Sequence, residues 1–107
     1  MNTSLKNIQS WLEVAEEANW SASGMARHCG VSVRTLERHF SKHIGKSPRI
    51  WLFEQRQLKA LKKLGEGLSV KQVASHLRYN HQTHFSRGFK RYWGSAPSTH
   101  PQKKWAQ

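Results

Sequence analysis

His81-Gln82-Thr83-His84-Phe85-Ser86-Arg87-Gly88-Phe89-Lys90-Arg91-Tyr92-Trp93-Gly94 interleaves apolar rings at helical spacing with polar side chains. Phe85, Phe89 and Trp93 stand at i, i+4 and i+8 and form one stripe able to bury against a core. Gln82, Ser86, Lys90 and, on a flank, Arg87 project elsewhere. Taken alone the stretch is an amphipathic helix, and a charged side opposite an apolar stripe is as well explained by solvent as by a ligand. The rest of the chain decides between the two.

The stretch has a copy upstream. Ala26, Val31, Leu36, Arg38, Phe40, Gly45 and Pro48 recur as Ala74, Tyr79, Phe85, Arg87, Phe89, Gly94 and Pro97, at an offset of 48 before a turn and 49 after it. The second turn has therefore gained one residue. A long period present in only two copies marks a tandem pair of units rather than a solenoid. Each copy reads as a short helix, a tight turn and a second helix, the helix-turn-helix arrangement.

Working outward, Leu5, Ile8, Leu12 and Ala15 share a helical face, with Trp11 beside them and Glu13, Glu16 and Glu17 outward, which predicts a first helix over 5–17. Ser21 is an N-cap, and Trp20 with Met25 forms a hydrophobic staple that starts a short helix ending near Cys29-Gly30. Ser32 caps the next helix, which carries Leu36 and Phe40 inward and ends at Gly45. Ser47-Pro48 opens a longer helix to about Leu64, with Trp51, Leu58, Leu61 and Leu64 as its apolar side. Gly65-Glu66-Gly67 stops it. Ser69 with Gln72 then makes a capping box and Leu68 with Val73 a staple, starting a short helix to about Arg78 and a turn at Tyr79-Asn80. Sustained period-two alternation is absent. The expected fold is all-α: a first helix-turn-helix subdomain over 5–47, a linker helix over 48–65 and a second helix-turn-helix subdomain over 66–100. Residues 101–107 form a basic tail, a candidate for disorder.

A chain of 107 residues suffices for one compact domain, or two very small ones sharing an element. Hydrophobic content of 36% and five tryptophans supply a modest core. The net charge of +12 favours a polyanionic partner, nucleic acid or an anionic membrane surface. Residues 1–66 carry 11 bases against 6 acids, and residues 67–107 carry 7 bases and no acid. Neither a basic amphipathic helix with a free apolar face, nor a spanning apolar run, nor a signal peptide is present, so no membrane partner is expected. Cys29 is the only cysteine, which rules out an internal disulfide and a Cys-rich zinc site and fits a cytoplasmic protein. It reads as a small buried hydrophobe rather than a nucleophile.

His39 with His43 (i, i+4) and His81 with His84 (i, i+3) have spacings that could hold zinc, but no Cys or Asp stands nearby to complete either pair. We expect no metal and no cofactor. A hydrolytic triad needs an acid behind the histidine, yet the chain has no Asp and no Glu after Glu66, so we expect no catalytic residue and no enzyme activity.

With Leu36 and Phe40 inward, Arg34, Glu37, Arg38 and Ser41 are free to face a groove. Arginine can bond a guanine edge bidentately or hold a phosphate, and glutamate can accept from cytosine N4. Gln82, Thr83, Ser86 and Arg87 hold the equivalent places in the second unit; Gln82 suits an adenine edge, and Thr83 offers a hydroxyl or a methyl group. The expected base-reading set is thus Arg34, Glu37, Arg38, Gln82, Thr83, Ser86 and Arg87. The plain alternative leaves Arg38 and Arg87 solvated or paired with neighbours. Arg27, Ser32, Lys42, Lys46, Lys71, His84, Lys90 and Arg91 suit phosphate contacts, which set register without carrying sequence information. Lys59, Lys62 and Lys63 on the long helix serve solubility.

These residues resemble the DNA-binding domain of the AraC/XylS family of bacterial transcription regulators, over roughly residues 5–100. The likeness rests on Ala26, Gly30-Val31-Ser32, Leu36, Arg38 and Phe40; on Ser47-Pro48, Trp51-Leu52, Arg56 and Ala60; and on Gln82-Thr83-His84-Phe85-Ser86-Arg87, Phe89-Lys90-Arg91-Tyr92, Gly94 and Pro97. It implies two helix-turn-helix subdomains joined by the long helix, with both recognition helices entering successive major-groove segments on one DNA face, and a single chain binding an asymmetric site as a monomer. Arg78 stands where the family usually has glycine, and His81 where it often has a capping serine, which leaves Asn80 as an alternative cap. Gln55 and Gln57 replace usual apolar positions on the long helix, which would loosen packing between the subdomains. The family further implies a sequence-specific regulator of transcription in the cytoplasm, associated with the nucleoid. We expect an activator, with double-stranded DNA and RNA polymerase as partners. The short stand-alone activators of the superoxide-response and multiple-antibiotic-resistance type are the nearest pattern if the chain is complete. A DNA-binding fragment of a larger effector-responsive regulator and a non-specific architectural nucleic-acid-binding protein stay open beside it.

Overall fold

The computed structural model describes Leu5, Ile8 and residues 10–98. Six α-helices order these residues: α1 (Trp11–Glu17), α2 (Ala22–Cys29), α3 (Val33–His43), α4 (Pro48–Gly65), α5 (Val70–His76) and α6 (Gln82–Trp93). No strand occurs among them, and the fold is the all-α tandem helix-turn-helix expected. Two compact units part between Gln55 and Arg56, inside α4. The expected linker helix over 48–65 is therefore shared, its first half packing in one unit and its second half in the other. The basic tail over 101–107 lies outside the described residues.

In the first unit α1 is shorter than 5–17. The Glu13 amide donates to Ser10 Oγ (3.3 Å), and this cap starts the helix at Trp11. Its face also differs from the expected one. Val14 and Ala15 are buried while Leu12 is 36% exposed, because Trp11 packs edge-on against Phe40 (ring centroids 4.8 Å) and turns positions 11, 14 and 15 inward. Asn19 (φ 56°) and Trp20 (φ 64°) then take the left-handed conformation, and the Trp20 amide donates to the Ala15 carbonyl (2.8 Å). Burial of the Trp20 indole offsets that backbone strain. Ser21 caps α2 as expected, accepting from the Gly24 amide at 2.9 Å.

Gly24 sits where α2 meets the end of α1. A Cβ there would lie 2.7 Å from the Ala18 carbonyl oxygen and 2.6 Å from Ser21 Oγ. Gly24→Ala is therefore expected to destabilise the protein by about 1–2 kcal/mol, the overpacking penalty exceeding alanine's helix-propensity gain. Urea unfolding measures this; a variant as stable as the parent would contradict the packing described.

The second turn opens with the same backbone bonds as the first. Gly30 and Arg78 are both left-handed (φ 72° and 65°). Their amides donate to Arg27 O and Ser75 O (3.1 Å each), and the next amides, of Val31 and Tyr79, donate to Ala26 O and Ala74 O (3.0 Å each). After that the chains diverge: Ser32 caps α3 directly, whereas Asn80 intervenes before His81, the N-cap of α6. This is the inserted residue. The alternative cap at Asn80 is not the one adopted, and His81 itself makes no side-chain cap bond. α5 stops at His76 rather than near Arg78, with the Ser69–Gln72 capping box in place at its start.

The repeat also defines both cores. Met25 and Val73, Ala26 and Ala74, Cys29 and Leu77, Leu36 and Phe85, Phe40 and Phe89, and Pro48 and Pro97 are buried in matching pairs. Burial pushes the Cys29 thiol up, so it stays protonated and packs as an apolar group.

Beyond Pro48, the buried positions on α4 are Leu52, Gln57, Ala60 and Leu64, and Leu58, expected inward, is 48% exposed. Gln57, fully buried, takes the place a leucine would fill. Its Nε2 donates to Tyr79 Oη (3.5 Å), while Arg56 stacks over the Tyr79 ring at 4.3 Å. Desolvation lowers the Arg56 pKa from the usual arginine value, with Tyr79 pulling it back up. Within the second unit Gln57 and Arg56 thus both meet Tyr79 of the second turn, while Gln57 Oε1 and Arg56 Nε are buried without a hydrogen-bond partner among the described residues. In the first unit Trp51 meets Phe40 edge-on at 5.6 Å.

Candidate nucleic-acid interface

Ser32 fixes the start of α3: its Oγ accepts from the Thr35 amide and donates to Thr35 Oγ1, both at 3.0 Å. With Leu36 and Phe40 buried, Arg34, Glu37, Arg38 and Ser41 occur at i, i+3, i+4 and i+7 on the opposite side, all exposed. Arg34, Glu37 and Arg38 make no side-chain hydrogen bond or ion pair among the described residues. Among the described residues Arg38 therefore has no paired neighbour.

α6 presents the same pattern. Phe85, Gly88 and Phe89 are buried, and Tyr79, Phe85, Phe89 and Trp93 form a run of ring contacts at 5.5, 5.7 and 6.2 Å. Gln82, Thr83, Arg87 and Lys90 are exposed; Ser86, at the position of Glu37, is half-buried. Arg87 likewise has no ion-pair or hydrogen-bond partner among the described residues. The two stripes thus share position but not chemistry: Arg34, Glu37 and Arg38 in one, Thr83, Ser86 and Arg87 in the other.

The residues expected at phosphates divide. Arg27 in the last turn of α2, Lys42 in the last turn of α3, Lys71 in the first turn of α5, and His84, Lys90 and Arg91 on α6 are all exposed. Ser32 is exposed but its hydroxyl is engaged by Thr35. Lys46 is half-buried and bonded to Glu54 (2.6 Å), so its charge is already matched. Glu66 is the only acid from Arg56 onward, so the second unit carries a strong excess of positive charge.

The histidine pairs are ring contacts: His39 and His43 lie 4.6 Å apart with His39 also against Trp11, and His81 meets His84 edge-on at 5.5 Å. Among the described residues no group of three or more His, Cys, Asp or Glu could hold a metal ion. None of the described helices is long and apolar enough to cross a membrane. Arg78, exposed in the second turn, lies outside both polar stripes at the place that Gly30 holds in the first unit.

Two buried-core units, each presenting an exposed polar helix after a tight turn, define a tandem helix-turn-helix protein. Residues 25–102 match the family described as "Helix-turn-helix domain". The chain belongs to that family, in its AraC-type branch. It is 30% identical over 94 residues to the virulence regulon transcriptional activator VirF of Yersinia enterocolitica, covering 87% of this chain and 35% of that protein. It is 28% identical over 104 residues to the HTH-type transcriptional regulator ExsA of Pseudomonas aeruginosa, covering 96% of this chain and 37% of that one. Among solved structures, a transcriptional regulator of the AraC-type DNA-binding-domain class from Chromobacterium violaceum superposes with a TM-score of 0.73 at 25% identity, over 90% of this chain and 88% of that chain. The chain spans about a third of the length of the curated relatives it matches.

Proposed function

We propose that the chain is a sequence-specific, double-stranded-DNA-binding regulator of transcription, acting as an activator. In this reading α3 uses Arg34, Glu37 and Arg38, and α6 uses Gln82, Thr83, Ser86 and Arg87, to read base edges in two major-groove segments, with the chain bound as a monomer. Arg27, Lys42, Lys71, His84, Lys90 and Arg91 hold phosphates; Ser32 joins them only by turning its hydroxyl from Thr35 Oγ1, and Lys46 only by giving up Glu54. The observation that carries the reading is the pair of exposed, internally unpartnered stripes, each set over the buried core of its own unit. The activator role draws on relatives named as transcriptional activators. It brings RNA polymerase in as the protein partner and the nucleoid of the cytoplasm as the place of action. The interface would serve a short stand-alone activator controlled by its abundance and the DNA-binding part of a longer regulator equally.

One feature weighs against a purely architectural role. Glu37, exposed in the middle of the α3 stripe, repels phosphate and contributes nothing to binding by charge alone, but it can accept from cytosine N4. Selection of bound sequences from a random DNA pool tests the proposal. We expect an enriched bipartite motif with half-sites about one helical turn apart. A pool that returns no enriched sequence, with binding as tight to random duplex, would establish the architectural alternative.

A further inference from the structure

The second turn contains a residue whose backbone and side chain make opposite demands. Arg78 holds φ 65°, a left-handed conformation that side chains other than glycine rarely adopt. The first unit meets the same geometry, with the same backbone hydrogen bonds, by placing Gly30 there. The conformation is imposed on Arg78 by its neighbours. Leu77 before it is buried, and Tyr79 after it is fastened by its amide to Ala74 O, by its ring to Phe85 at 5.5 Å, and by Arg56 at 4.3 Å.

The arginine returns nothing to the protein in exchange. Its side chain is exposed and forms no hydrogen bond or ion pair among the described residues, and Glu66 is the only acid in its half of the chain. Backbone strain that is held by its surroundings without local benefit is characteristic of ligand-contacting positions. The guanidinium offers a planar fork of donors suited to a phosphate. It sits three residues before His81, the N-cap of α6, at the end of the helix that would enter the groove, where a docked helix-turn-helix passes beside the duplex backbone.

We infer that Arg78 is a phosphate-gripping residue of the second unit, with no counterpart in the first, so that the α6 half-site is held to the backbone by one more cation. The inference rests on reading α6 as a DNA-facing helix, and the test separates the two. Thermal unfolding, and binding to a pool-selected duplex and a random duplex over a range of salt, are measured for the parent, Arg78→Gly, Arg78→Lys and Arg87→Ala. Arg78→Gly should melt a few degrees higher, since the turn is relieved, yet bind both duplexes more weakly by a similar factor, roughly up to tenfold near 0.1 M salt, with the salt slope reduced by about one. Arg78→Lys should keep the parent's slope without the gain in melting temperature. Unchanged affinity and slope for Arg78→Gly, while Arg87→Ala loses its preference for the selected duplex, would overturn the assignment of Arg78 and leave the DNA reading standing. Parent-like binding by both variants would overturn the two together.

Discussion

Phe89→Ala is expected to destabilise the protein by about 3–5 kcal/mol. Phe89 is fully buried and lies between Phe85 and Trp93 on α6, with ring centroids 5.7 and 6.2 Å away. Its removal deletes a whole aromatic ring and opens a cavity lined by other rings, which cannot close without moving the helix. Small domains are stable by roughly 5–15 kcal/mol in total, so one such change takes a large share. Phe40→Ala, at the matching place in the first unit, should behave alike, since Phe40 is equally buried and meets Trp11 and Trp51 edge-on. Helical circular dichroism against temperature or urea measures both. Lys90→Ala, exposed on the same helix as Phe89, should change stability by no more than about 0.5 kcal/mol. If Phe89→Ala lost no more than Lys90→Ala, the core assigned to the second unit would be wrong.

Arg38→Ala and Arg87→Ala should each weaken binding to the selected site by roughly 1–3 kcal/mol, about five- to 150-fold, while leaving the fold intact. Both side chains are exposed and neither is committed to an internal partner, so their truncation leaves no buried charge behind. The loss should fall on the selected duplex far more than on random duplex, because a bidentate contact to a guanine edge exists only at the right base. Each variant should also tolerate substitution at one base position that the parent rejects. Equilibrium titration on a panel of singly substituted sites reads this directly; an equal loss on all sequences would make these arginines phosphate contacts instead.

How far the sequence could be read differs from element to element, for physical reasons. The repeat was legible because each copy must bury the same core, and matching buried pairs such as Leu36 with Phe85 and Phe40 with Phe89 keep their chemistry and spacing. Caps were legible wherever a hydroxyl supplies the bond, as at Ser21, Ser32 and Ser69. They were not where the backbone does without one, as at His81. The inward face of α4 was misread because Ile50, Trp51, Leu52, Phe53, Leu58, Leu61 and Leu64 place apolar groups on several sides. Only tertiary contacts choose among them, and here they bury Gln57 and expose Leu58. The phase of α1 depended on one ring contact, Trp11 on Phe40, that periodicity cannot foresee. Of the candidate site, the exposed stripes followed from knowing which residues turn inward. The partial burial of Ser86, the Lys46–Glu54 pair and the strained Arg78 did not, since each depends on neighbours fixed only by packing.

The most direct measurement is footprinting of the parent, Arg38→Ala and Arg87→Ala on one pool-selected duplex. Two separately acting recognition helices predict two protected segments about one helical turn apart for the parent. Each variant should then lose protection over one segment only, a different one in each case. Protection identical to the parent's in both variants would contradict the assignment of α3 and α6 as the reading helices.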